Sequence, residues 1–479
     1  MSSKLDKLVR GVSWNYSAQL LTALAQFGYA AATSRLVSPA GFGTYAVALT
    51  VVGLVTLLST GGLGQSVSRM SEVSKEVLGG LASFALILGI AGSIFLILTA
   101  PLFAALWGDP NAGQSVRVLC IVVLITPLLG LMSGLLRRTG RFKALAIVTL
   151  ASNVAGMMVG VVIVTVYQNA VSLVSATVVS QVILFISLSL ITKFRLLKFG
   201  RLKSASNEIG FGRNVIFSSM LSYLANNLGK WSVSRWVGAP ALGQWNRADV
   251  VTSIPFFQIQ NAIVQVVYPE FRHDRENNER ARRAWPHLLA ITAWASVPAG
   301  SLGAAILPAL IPILFGDGWA MAASMAVPLA IIASLQVVTT VLGGAVEALG
   351  KFKWIWLSQI LMIMVQCVGV VITIATESVW PALWSLGGVV VLRQAVYIVL
   401  CARTGYMDAK LLLKHYLAVA VFSVLTYAGG ILFLSGLGNP LLIVGLVLVC
   451  GVLFVLVRMR PMMFPPIRII REYSSARAG

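Results

Sequence analysis

Lys230 and Arg393 are cations set inside long apolar runs, and Arg35, Arg235 and Arg247 stand at the edges of such runs. An ionised group in a bilayer is costly unless it faces water, a partner or a bound ion. Cations placed there suit the capture of an anion, and arginine grips phosphate through paired N–H donors. Amides accompany these cations. Asn15, Gln19, Thr22 and Gln26 recur at spacings of 4, 3 and 4, which is one face of a helix. Ser219, Tyr223, Asn226, Lys230 and Ser234 repeat the pattern, and Arg247, Gln258 and Gln265, with Asn261 nearby, make a third stripe. Such amides either glue helices together or line an aqueous cavity and meet hydroxyl groups there. Three stripes on three helices favour the cavity. Arg35 and Arg235 read both as interfacial anchors and as its rim. Arg393, mid-span, needs a partner or water.

Catalytic constellations are missing. The three histidines, His273, His287 and His415, lie near cytoplasmic span ends with no ligand spacing. No paired carboxylates, phosphate-binding glycine loop or nucleophile elbow occurs. Cys120, Cys367, Cys401 and Cys450 all fall in apolar runs without a C-x-x-C spacing, so neither a disulfide framework nor a metal site is expected. The reading is of a protein that is not an enzyme and has no cofactor.

The elements that carry these residues are membrane helices. Of 479 residues 58% are hydrophobic and 11% charged, and the mean hydropathy is +0.88, outside the range of soluble domains. Runs near 20 residues, long enough to cross about 30 Å of hydrocarbon, recur throughout. We read fourteen spans, at 12–36, 43–66, 77–101, 116–136, 145–167, 171–192, 214–236, 245–268, 286–314, 323–348, 354–376, 379–402, 411–435 and 440–457. The first is too long for a cleaved signal peptide and lacks its small-residue site. The net charge of +21 does not point to nucleic acid, because 30 of the 36 Lys and Arg gather on one side of these spans. That asymmetry places both termini in the cytoplasm.

The chain also repeats itself. SRLVSPAGFGTY at 34–45 returns as SRWVGAPALGQW at 234–245, aligning Ser34, Arg35, Val37 and Gly43 with Ser234, Arg235, Val237 and Gly243. TGRFK at 139–143 returns as LGKFK at 349–353. Both shifts move six spans, an even number, so the halves run in the same orientation, as a parallel repeat. The expected fold is an all-α integral membrane protein. Two six-helix lobes, 1–194 and 213–403, surround a central cavity, joined by a basic linker at 195–212. Residues 404–479 add two spans and a basic tail.

SRLVSPAGFGTYAVA, followed by an apolar span ending STGGLGQSVSR, resembles the start of bacterial polysaccharide flippases of the multidrug/oligosaccharidyl-lipid/polysaccharide exporter superfamily. NNLGKWSVSRWVGAPALGQWNRADVVTSIPF at 226–256 is similar to their span 7–8 segment, with Gly229 where the family carries an acid and Lys230 at its basic position. The likeness covers most of the chain. It implies a cavity lined by spans 1, 2, 7 and 8. It also implies alternating access, carrying an undecaprenyl-pyrophosphate-linked oligosaccharide from the inner to the outer leaflet of a bacterial cytoplasmic membrane. Lys230, Arg247, Arg35, Arg235 and Arg393 would then meet pyrophosphate or acidic sugars, and Asn226, Gln19, Gln26, Gln258 and Asn261 the sugar hydroxyls. Spans 1 and 2 lack interior cations, which favours the polysaccharide branch over the lipid II flippase. Partners implied are the lipid-linked glycan, the bilayer, and the polymerase and glycosyltransferases of the same pathway. A drug or metabolite antiporter of the superfamily would need interior acids in the first lobe, and the sequence has none there. A membrane glycosyltransferase or polymerase would need a sizeable outer loop or an acid base, and neither is visible.

Overall fold

The computed structural model describes residues 19–60, 63–64, 67, 74–193, 200–202, 206–436 and 469. Asn15, parts of the basic linker and the expected span at 440–457 lie outside the described residues. Among the described residues all regular structure is helical. The helices are α1 (19–34), α2 (Pro39–Thr60), α3 (Lys75–Trp107), α4 (Ala112–Val118), α5 (Cys120–Arg138), α6 (Phe142–Tyr167) and α7 (Ala170–Thr192). After the linker come α8 (Ser206–Ser232), α9 (Ala239–His273), α10 (Asn278–Phe315), α11 (Ala320–Ala348), α12 (Phe352–Thr376), α13 (Trp380–Arg403) and α14 (Ala409–Ser435).

Eleven helical segments among the described residues are long and apolar enough to cross a membrane: α2, α3, α4 with α5, α6, α7 and α9 to α14. The chain is a multi-pass membrane protein. The described part of α1 is short. α8 has the length, 27 residues, but its asparagines, serines and Lys230 make it too polar to qualify. Both fall on expected spans and carry two of the three polar stripes read in the sequence; the third lies on α9, which does qualify. Elsewhere large apolar side chains face outward, among them Leu98, Ile313, Leu413 and Leu417, each at least 67% exposed. A surface of that kind belongs in hydrocarbon. α10 has 38 residues, about 57 Å at 1.5 Å per residue, well beyond the hydrocarbon thickness. Between the eighth and ninth expected spans α9 runs to His273 and α10 starts at Asn278, so this mixed-charge stretch is mostly helix. Glu279 and Arg283, i and i+4, meet there at 4.0 Å.

Turn chemistry sets where the helices stop. Ser74, Asn277 and Asp408 cap α3, α10 and α14 by accepting backbone N–H bonds. Asn169 and Ser172 form a reciprocal capping box at α7. The two basic glycine turns read as repeats share one geometry. Gly140 has φ 69° and Gly350 φ 68°. The N–H of Arg141 bonds Leu136 O, and that of Lys351 bonds Val346 O. This is the left-handed glycine stop that satisfies the last carbonyls of a helix. The repeat extends further than the sequence motifs do. Gln168 and Glu377, 209 positions apart, both take left-handed φ, at 47° and 48°. At the same offset, a Cβ on Gly160 would lie 2.5 Å from Ala176 Cβ, and one on Gly369 2.5 Å from Ser385 Cβ. Small residues let α6 meet α7, and α12 meet α13, at backbone distance.

The described residues up to Arg247, with Thr373–Val379, form one compact unit, and those from Ala248 onward the other. In the first, Leu63, Leu81, Leu131 and Met132 centre a core between α3, α5 and α7. In the second, Trp285 stands between Phe271, 4.9 Å away centre to centre, and a stacked Tyr406 at 5.5 Å. Its Nε1 donates to Asp274, which also pairs with Arg280 at 3.1 Å.

Candidate functional site

The second copy of the repeated turn is tied to α3, and the helix that follows it meets α2. α8 ends in a π-helical turn, Val233–Val237, and Gly238 turns the chain at φ 110° into α9. Ser234 donates to Trp107 O at 3.0 Å and Trp231 Nε1 to Leu106 O at 3.0 Å, pinning this turn to the end of α3. The first turns of α2 and α9 then cross with no room between them. A Cβ on Gly43 would overlap the Ala239 carbonyl, and one on Gly243 would overlap the Pro39 carbonyl. Residues 39 and 43 thus face 243 and 239, a local two-fold relation in which each repeat copy reads its own counterpart.

Below this crossing α2, α8 and the start of α9 enclose a cavity of about 240 Å³. Lys230, Asn227, Asn246, Tyr223 and Thr50 line it, with Ala46, Leu49 and Leu242. Tyr223 donates to Thr50 O at 2.7 Å and so ties α8 to α2 at its floor. Asn227 donates from its side chain to Tyr223 O at 2.8 Å. Its side-chain oxygen remains as an acceptor for another donor.

Arg247 stands behind this wall, 4% exposed. Its guanidinium lies 4.0 Å over the Phe42 ring. It donates to Asn246 Oδ1 at 2.9 Å and to Ser34 Oγ at 3.5 Å, and its Nε makes no hydrogen bond. These three partners are neutral. The charge is held by dipoles and a ring face rather than cancelled, and Asn246 passes the contact on to the cavity.

Lys230 and Asn246 thus line one cavity, and Asn246 accepts from Arg247 behind it. Asn226 is exposed beside the cavity rather than in it, and Asn227 takes the lining position. Arg35 and Arg235 are exposed, and Arg235 lies against Gly108 at the end of α3. Gln19 and Gln26 are half-buried on α1, with Gln19 Oε1 buried and unbonded. Gln258, Asn261 and Arg393 belong to the second unit. There Gln258 Oε1 is buried without a hydrogen bond, and Arg393 places Nη1 3.6 Å from Met362 Sδ. Asp249 accepts from Ser253, one turn on. Among the described residues no cluster of His, Cys, Asp or Glu is arranged to hold a metal. Asn246 and Thr50 were not marked in the sequence. The only signal for Asn246 was its place next to Arg247, and for Asn227 its i−3 spacing from Lys230.

Comparison with known proteins agrees with this architecture. Residues 33–324 match the family model described as polysaccharide biosynthesis protein. The teichuronic acid biosynthesis protein TuaB of Bacillus subtilis is 24% identical over 63% of this chain and 63% of its own length. The lipopolysaccharide biosynthesis protein WzxC of Escherichia coli is 22% identical over 66% and 64%. The succinoglycan biosynthesis transport protein ExoT of Rhizobium meliloti is 22% identical over the same shares. The match therefore spans just under two thirds of each of these relatives. Among solved structures, the lipid II flippase MurJ in an inward closed conformation superposes with a TM-score of 0.69 at 12% identity, covering 91% of this chain and 100% of that one. An inward-facing multidrug resistance MATE family transporter of the MOP superfamily gives 0.59 at 16% identity, over 85% and 98%. The fold is the one these transporters share, and the chain belongs to the polysaccharide biosynthesis protein family.

Proposed function

We propose that the protein carries an undecaprenyl-pyrophosphate-linked oligosaccharide from the inner to the outer leaflet of a bacterial cytoplasmic membrane by alternating access, supplying surface polysaccharide assembly. The observation that carries this reading is the cavity of α2, α8 and α9. A lysine and four side-chain amide or hydroxyl groups face one space, backed by a buried arginine with neutral partners. Such a field attracts an anion, and amides beside it suit sugar hydroxyls. The names of TuaB, WzxC and ExoT, all in polysaccharide biosynthesis, support the same substrate class. The proposal extends to both termini in the cytoplasm, to repeat lobes at 1–194 and 213–403, and to work alongside a glycan polymerase and glycosyltransferases rather than catalysis by the chain itself. In a host that depends on this chain, Lys230→Glu and Arg247→Glu should each abolish surface polysaccharide while the protein stays at normal levels in the membrane. Normal export by both variants would remove the site.

A further inference from the structure

The polar cavity has a neighbour on the far side of Tyr223. Thr50, Tyr223 and Asn227 are also the deep end of a second cavity of about 240 Å³. Its other walls are Val51 and Leu54 of α2, Phe103, Leu106 and Trp107 of α3, and Leu224, Leu228 and Trp231 of α8. Almost nothing polar faces it beyond the three shared residues. Two hydrogen bonds hold the groove open as a slot: Tyr223 to Thr50 O at the deep end and Trp231 to Leu106 O at the outer end. Between them α8 advances eight residues, about 12 Å. Leu106 and Leu224 are 50% and 38% exposed, so the slot opens sideways onto the lipid-facing surface.

A cationic, amide-lined chamber that shares Thr50, Tyr223 and Asn227 with an apolar slot has the chemistry of one ligand with an anionic head and a hydrocarbon tail. We infer that the slot between α3 and α8 binds the first part of the carrier lipid's polyprenyl chain while its pyrophosphate sits at Lys230. This rests on the function proposed above and adds where the lipid leaves the protein. The charge of Lys230 selects the head, and the shared residues Thr50, Tyr223 and Asn227 set the tail's direction. An uncharged lipid gains nothing at the chamber end, and a free anion gains nothing from the slot.

The test uses the full chain in nanodiscs of zwitterionic phosphatidylcholine, with two probes: inorganic pyrophosphate and a polyprenyl pyrophosphate of a few isoprene units. The chain-bearing probe should bind more tightly to the unaltered protein. Leu228→Trp and Leu106→Trp, which fill the slot from opposite walls, should each weaken the chain-bearing probe about tenfold, the effect of losing roughly two buried methylenes. Both should leave inorganic pyrophosphate unchanged, which also reports an intact fold. Lys230→Gln should weaken both probes. If the tryptophan variants lose both probes, Leu228→Ala decides: a selective loss of the chain-bearing probe supports the slot, and no loss removes it. Unchanged chain preference in every slot variant, with Lys230→Gln still weakening pyrophosphate, overturns the slot and leaves the proposed function standing. No effect of Lys230→Gln on either probe overturns both. Equal competition by phosphatidylglycerol makes the slot a site for bulk phospholipid and overturns it as a carrier site.

Discussion

Arg247 stands beside the cavity without entering it and reaches its wall through Asn246. Its guanidinium uses one face for the Phe42 ring and its edges for Asn246 and Ser34. A lysine at 247 cannot do both, because an ammonium lacks the flat face and the spread of donors. Arg247→Lys keeps the charge and should still lower affinity for inorganic pyrophosphate about tenfold, the scale of a desolvated cation–π contact. Titration of the two proteins in nanodiscs measures this. Equal affinities would mean that charge alone matters and that the aimed Asn246 does not. That Lys230 and Arg247 sit with amides was legible in the sequence, from their places in polar stripes. Their assignment was not. Asn226 and Asn227 are equally good candidates on paper, and only the packing of α8 on α2 puts 227 in the cavity and 226 outside it.

At the scale of elements, the crossing of α2 and α9 is the tightest contact the repeated turn makes. Gly43 and Gly243 each face a backbone carbonyl of the other helix, which has no side chain to move aside. Gly43→Ala and Gly243→Ala should each destabilise the protein by about 1–3 kcal/mol, the usual range for overpacking. The double variant should cost less than the two added together, because once one methyl has forced the helices apart the second finds room. Gly28 on α1 is the control. A Cβ there meets nothing within 4 Å, so Gly28→Ala should be neutral or slightly stabilising. Thermal unfolding in detergent reads all four. Strict additivity at 43 and 243 would mean that the helices do not share one contact. The sequence marked these glycines as a repeat but gave no sign that the copies touch each other. Identity of pattern reports common descent or common geometry, and contact depends on how α8 returns to α2. The further repeats, Gln168 with Glu377 and Gly160 with Gly369, escaped the sequence for a different reason. Left-handed φ at a non-glycine residue leaves no residue type to recognise, and the partner of each glycine is simply a small side chain.

For the whole molecule, the repeat and the packing divide the chain at different places. The sequence motifs begin a second copy near residue 213, whereas the compact unit runs on to Arg247. The reason lies in α8 and its turn: Tyr223, Trp231 and Ser234 all bond to α2 or α3, so the opening helix of the second copy packs as part of the first unit. The helical class and the positions of the eleven described spans were legible because hydrocarbon thickness dictates run length, while sides are read from the cation bias alone. The same bias makes a firm prediction of orientation. Turns on the basic side, such as that holding Arg141 and Lys143, should face the cytoplasm, and turns with few cations, such as Asp317–Trp319, should face outward. With Cys120, Cys367, Cys401 and Cys450 replaced by serine or alanine, Lys143→Cys and Gly318→Cys each introduce one exposed thiol, and at 318 a Cβ meets no neighbour. A membrane-impermeant maleimide added to intact spheroplasts should label 318 and spare 143, and inside-out vesicles should give the opposite. Labelling of 143 in intact cells would reverse the topology. It would then place the Lys230 end of α8, and the slot beside it, in the leaflet where the lipid-linked glycan is made rather than the one where it is delivered.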